Sequence, residues 1–252
     1  MHLRPRPSTI GLALVAVLAT VACTSRRRPP YLSLAEKRNG LSVWVVDGPL
    51  IRDSLDIEFS NFGQHFEFDF IPQNELWLDR EAAPDEQAFF VDHLLLERSL
   101  MERGVPYDSA LEVADRREMA ERAASGDVAK VSAADGLPDA AKVHVELLRT
   151  LTSGVTVWIV DGRLVRSAFD VDFTEGGHDH VYEFVPHNEV WIDNDLVEAE
   201  RPFVLYHELH ERALMANAWT YDSAHADASR RETYFRRHPN ELHDALESEG
   251  WQ

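Results

Sequence analysis

Apolar and polar positions between residues 40 and 122 first alternate and then wind. Val43 to Val46 sets apolar side chains around Trp44, Asp47-Gly48 follows as a turn pair, and Leu50 to Phe59 continues apolar, which predicts a β-hairpin. Phe66 to Ile71 alternates aromatic with acidic residues, and Glu75 to Leu78 is a short run around Trp77; both predict further strands. From Glu86 the period becomes helical. One helix is predicted to about Arg103, then a break at Gly104-Val105-Pro106, then a second helix from Asp108 past Glu118, with Asp108 in the N-cap role. The unit is a predicted antiparallel β-meander followed by a helical hairpin. That is an α+β arrangement in which helices cover one face of a sheet.

The pattern then occurs a second time. Gly40 to Gly48 returns as Gly154 to Gly162, Phe70 to Asp79 as Phe184 to Asp193, and Tyr107 to Ala110 as Tyr221 to Ala224, all at one constant offset without a gap. About 32 identities fall in the roughly 79 aligned positions, so the chain is a tandem duplication. Two copies of this length make two homologous domains rather than a solenoid. The predicted organisation is an export signal over 1–22, a tether over 23–30, a first repeat domain over 31–122, a linker over 123–140 and a second repeat domain over 141–252. Lys142 to Leu151 is predicted to be a short helix that introduces the second copy. Residues kept in both copies, among them Arg52, Asp56, Asn74, Glu75 and Asp79, read as fold-maintaining, and Trp44, Trp77, Trp158 and Trp191 read as sheet cores.

The copies differ in one direction. Where the first has Gln64, Phe66, Leu94, Leu96 and Leu111, the second has His178, His180, Glu208, His210 and His225. Polar groups at positions where the other copy holds leucine are costly unless something binds them. His207 and Glu211 stand four residues apart on one predicted helix face, so the two can hold a metal jointly. With His225 from the next helix, and His178, His180 or His210 as further nitrogen donors, the set suits zinc. Glu208, directly after the first histidine, is placed to act as general base for an attacking water. The first copy retains His93 and Glu97 without the other donors, as a purely structural pair would, so a satisfied polar cluster is the competing reading. His187, His238 and His243 read as surface residues.

His207-Glu208-Leu209-His210-Glu211 resembles the zincin metallopeptidase helix motif His-Glu-x-x-His, with Glu211 standing where that family has its second histidine. The resemblance implies a peptidase-like, zinc-dependent hydrolase with Glu208 as its base. Near the N-terminus, Arg4 and Arg6 precede an apolar run from Ile10 to Val21, the pattern of an export signal. Thr20-Val21-Ala22-Cys23 resembles a bacterial lipobox with Thr20 in place of the usual leucine, which implies a lipoprotein acylated at Cys23, for instance with palmitate. An ordinary secretory signal with an incidental cysteine is the alternative, and Cys23 has no second cysteine to pair with.

A hydrophobic content of 44% supports real cores, and a net charge of −19 opposes binding to nucleic acid. No nucleotide-binding glycine loop or serine-nucleophile motif is present. The sequence therefore leads to an envelope protein held to a membrane through Cys23, on the periplasmic or extracellular face, with a metal-dependent hydrolase-like second domain. The alternative is a non-enzymatic envelope lipoprotein that serves as a binding or assembly module. Substrate and protein partner stay open.

Overall fold

The computed structural model describes residues 28–252; the export signal and Cys23 lie outside the described residues. Each copy is a four-stranded sheet followed by helices, so the α+β tandem architecture holds. In the first copy β1 (Tyr31–Arg38) pairs antiparallel with β2 (Leu41–Val46), the helix α1 (Gly48–Ser54) follows, then β3 (Phe62–Gln64) and β4 (Glu75–Asp79). Helices α2 (Gln87–Met101) and α3 (Tyr107–Ala124) form the hairpin, and the short α4 (Asp127–Val131) leads out. The second copy repeats this with β5 (His144–Thr150), β6 (Thr156–Val160), α5 (Gly162–Ala168), β7 (Gly176–His178), β8 (Glu189–Asp193), α6 (Arg201–Ala216) and α7 (Tyr221–Arg237), and ends in α8 (Leu242–Ser248).

The strand connections differ from a simple meander. Sheet order is β1-β2-β4-β3 and β5-β6-β8-β7, and the central pairs β2/β4 and β6/β8 run parallel, with Trp44 beside Trp77 and Trp158 beside Trp191. Parallel neighbours need a crossover, which here is the segment predicted as a hairpin and second strand. Pro49 starts α1 in the first helical turn, where its fixed φ is already helical. Gly48 allows close approach rather than a hairpin turn: a Cβ there would overlap the Asp79 carboxylate, and Gly162 meets Asp193 in the same way. Phe66 to Ile71 is turn structure. Its alternation reflects Phe68, Ile71 and Phe70 packing with Phe59 and Trp77 under the sheet, not strand pairing.

Three other expectations change. The segment from 142 to 151 is mostly strand β5, not a helix, and 31–38 is the matching edge strand of the first copy. The stretch read as a linker carries the end of α3 and all of α4; Val131 is fully buried and Asp127 is paired with Arg163 at 2.9 Å. Asp108, predicted as an N-cap, sits in the first turn of α3, as its counterpart Asp222 does in α7.

The copies dock through buried ion pairs related by the repeat offset. Arg52 of the first copy reaches Asp79 (2.8 Å) and Glu81 of its own unit, and Glu175 (2.6 Å) and Glu200 (3.1 Å) of the other. Its counterpart Arg166 reaches Asp193 (2.5 Å) and, across the junction, Glu86 (2.5 Å), the counterpart of Glu200. This reciprocity is that of an isologous dimer written into one chain. Each shared glutamate then hands on to the helical hairpin behind it: Arg122 bonds Glu86 at 2.6 Å, and Arg236 bonds Glu200 at 2.9 Å.

Candidate metal centre

From Arg236 the chain of contacts runs into the site. Arg236 holds Glu232 at 2.8 Å, and Glu232 Oε2 lies 3.0 Å from His207 Nδ1. On α6 the four-residue step carries Glu211 beside His207, and α7, packed antiparallel, brings His225 against both. His207 Nε2, His225 Nδ1 and Glu211 Oε2 form a triangle with sides of 3.2, 2.8 and 3.5 Å. Two ligand atoms bound about 2 Å from one tetrahedral ion sit about 3.3 Å apart, so the triangle has the dimensions of one face of a zinc site.

The other faces of these groups are occupied. His207 Nδ1 is bound by Glu232, and His225 Nε2 lies 3.2 Å from Glu58 Oε2, a residue of the first domain. Glu211 Oε1 lies 3.0 Å from His178 Nε2. The His178 tautomer follows from its neighbours: the His180 backbone N–H donates to Nδ1 (3.2 Å), so Nε2 carries the proton and donates to Glu211. With outward nitrogens donating to carboxylates, His207 Nε2 and His225 Nδ1 face Glu211 Oε2, to which they donate while protonated; on losing those protons they are the nitrogens that would give lone pairs to an ion. Carboxylate–histidine pairs of this kind orient metal ligands.

Charge in the cluster is strongly coupled. Burial would lower the His207 pKa, but hydrogen bonds to Glu211 and Glu232 outweigh it and hold it well above the usual imidazole range. His225 is raised to about 9 by its bonds to Glu211 and Glu58. Burial would raise Glu211, yet His178, His207 and His225 hold it far below the ordinary carboxylate range. Glu208 lacks such a set of donors, and burial pushes it up to about 7.

Glu208 shares a wall with the triad. Oxygens of Glu208 and Glu211 and a nitrogen of His178 lie within 4.8 Å of one another. Two small cavities, of about 90 and 80 Å³, both have His207, Glu208 and His225 in their linings. Ile57, Glu58 and Ser60 of the first domain close the one; Gly176, Gly177, Tyr182 and Tyr221 close the other. Gly176 contributes by what it lacks. Its counterpart Phe62 fills the matching space against Phe90 and His93, whereas at Gly176 the nearest side-chain atoms are those of Glu208, 3.0 Å from where a Cβ would stand.

The predicted set is thus divided. His207, Glu211 and His225 converge, and Glu208 adjoins them. His178 is close but directs its free proton at Glu211, a holding role rather than that of a ligand. His180 is exposed and outside the group. His210 is also outside it, because a three-residue step on a helix turns the side chain by about 60°. It bonds Asp227 (3.0 Å) and Glu249 (2.6 Å), tying the segment after α8 to the hairpin. Sequence reasoning missed Glu58 and Gly176, although each carries a signal: an acid retained at the matching Asp172, and a large-to-small exchange facing a leucine-to-glutamate exchange. A further acidic group, Asp79, Glu81 and Glu175, surrounds the Arg52 guanidinium.

No protein-family model, curated protein or solved structure matches the chain.

Proposed function

We propose that the second domain binds one zinc ion through His207, Glu211 and His225 and acts as a hydrolase of peptide-like or ester bonds, within an envelope lipoprotein anchored at Cys23. The observation that carries this reading is the convergence of three lone-pair donors at 2.8 to 3.5 Å, each fixed from behind by a hydrogen-bonded partner. A zinc ion held there supplies Lewis acidity to a carbonyl and makes water a better nucleophile at neutral pH. Glu208, beside the triad and not needed as a ligand, takes the proton of the attacking water and returns it to the leaving group. Glu232, Glu58 and His178 keep the ligand side chains in orientation, and the walls of the two cavities limit the water around the reacting bond.

The lipid anchor rests on the sequence before residue 28. Among the described residues no helix is long and apolar enough to cross a membrane. Elemental analysis of the purified protein tests the metal reading: one zinc per chain, lost in His225→Ala, is expected. A chain that takes up no metal from a zinc-supplemented buffer leaves the binding-module alternative standing; stoichiometric iron in place of zinc moves the chemistry to oxygen activation, for which two histidines and a carboxylate also serve.

A further inference from the structure

The first domain lacks the donors for a centre of its own, yet its 56–60 loop reaches into the second. Glu58 Oε2 stands 3.2 Å from His225 Nε2 across 167 residues of chain, while Ile57 and Ser60 line the same cavity as His207 and Glu208. The pseudo-twofold docking explains why: the loop that follows α1 in each copy lies against the helical hairpin of the other. Its counterpart, Asp172, bears electrostatically on His93 and Asp115 of the first hairpin, where Leu111 stands in the place of His225. Only one of the two crossings therefore meets a histidine on the second helix of the hairpin.

We infer that the centre is an interdomain site and that Glu58 is a positioning residue, contributed by the first domain, that fixes the tautomer and ring orientation of His225 and so sets metal affinity. This rests on the metal reading given above. Of the three groups that hold the ligands from behind, Glu232 and His178 belong to the second domain, and Glu58 alone crosses the junction. A carboxylate accepting from Nε2–H leaves Nδ1 as the lone-pair donor, which is the nitrogen that faces His207 and Glu211. Binding of the ion and docking of the first domain are then linked, each strengthening the other by the same free energy.

The experiment uses the full chain with zinc as the probe, titrated in competition with a chelator, in wild type, Glu58→Ala, Glu58→Gln and His225→Ala. Glu58→Ala is expected to bind zinc roughly 10- to 100-fold more weakly, the usual cost of losing such a partner. Glu58→Gln, whose amide oxygen still accepts from Nε2–H, is expected to recover part of the loss. Nitrogen-15 NMR of His225 in the zinc-loaded chain adds a readout that a merely structural role would not move: zinc on Nδ1 with Nε2–H in wild type, a mixture of Nδ1- and Nε2-bound rings in Glu58→Ala. Zinc binding that depends on His225 but is equal in wild type and Glu58→Ala, with one unchanged His225 tautomer, overturns the inference and leaves the metal centre intact. Failure of wild type to bind zinc, or binding unaffected by His225→Ala, overturns the metal reading instead.

Discussion

The two helical hairpins of this chain show the same histidine–glutamate pair in two settings. In the first copy His93 sits between Glu97 (3.4 Å) and Glu118 (2.9 Å), with Arg122 behind Glu118, Phe62 against the ring and Leu111 at the position that matches His225. In the second, the Arg236–Glu232–His207–Glu211 series repeats those contacts, but His225 replaces the leucine and Gly176 replaces the phenylalanine. The glutamate is even held alike: Gln64 Nε2 donates to Glu97 (2.5 Å) and its Oε1 accepts from the Phe66 N–H (3.1 Å), the same two bonds His178 makes. The shared pair is therefore scaffold. What separates a filled polar core from a candidate centre is one added imidazole, one added carboxylate and one removed ring.

Reverting that difference gives the largest expected effect. His225→Leu recreates the first copy's setting and should weaken zinc binding by more than the ~100-fold typical of losing an outer partner, read by chelator competition. Next is the junction the copies share. Arg166→Ala leaves Asp193 buried without its cation and Glu86 with Arg122 alone, and should cost about 3–5 kcal/mol, measured by urea unfolding, with probes in both halves reporting one transition. Glu208→Gln should retain zinc and fold while any hydrolytic turnover falls by roughly 10²- to 10⁴-fold, the usual worth of a general base. Leu111→His tests the comparison from the other side: with His93, Glu97 and the Asp172 loop already in place, it should add a second, weaker site, seen as zinc stoichiometry rising toward two.

The smallest effect concerns pH. Burial would lower the His93 pKa, but the adjoining Glu118 and Glu97 carboxylates outweigh it and lift it to about 9. A pKa higher in the folded chain than the ordinary 6.5 means stability that is fully present below that value and is lost as pH rises toward about 9. The slope is at most ~1.4 kcal/mol per pH unit. Urea stability followed from pH 6 to 9 should decline less steeply in His93→Gln than in wild type; equal slopes would show that His93 keeps an ordinary pKa.

The duplication, the helical hairpins and the His207–Glu211 spacing were legible in the residues, because a repeat offset and an i,i+4 step are local and survive whatever packs around them. Comparison of the copies also isolated Glu208 and His225, since a charged or imidazole group at another copy's leucine breaks a local rule. The parallel central strands were not legible. A Val-rich run before Asp47-Gly48 fits a hairpin as well as a crossover, and the choice fell to Gly48 docking on Asp79, 31 residues away. Nor could periodicity alone decide between His207 and His210, which differ by less than a quarter turn; the segment after α8 claims one and α7 aligns the other. By itself the sequence determined which side chains were present and how they were spaced along each element. Which of them converge or share a proton was decided only by tertiary packing: α6 against α7 brings His225 to Glu211, and a hydrogen bond between Glu58 and His225 depends on the relative placement of two folded bodies, which leaves no period along the chain.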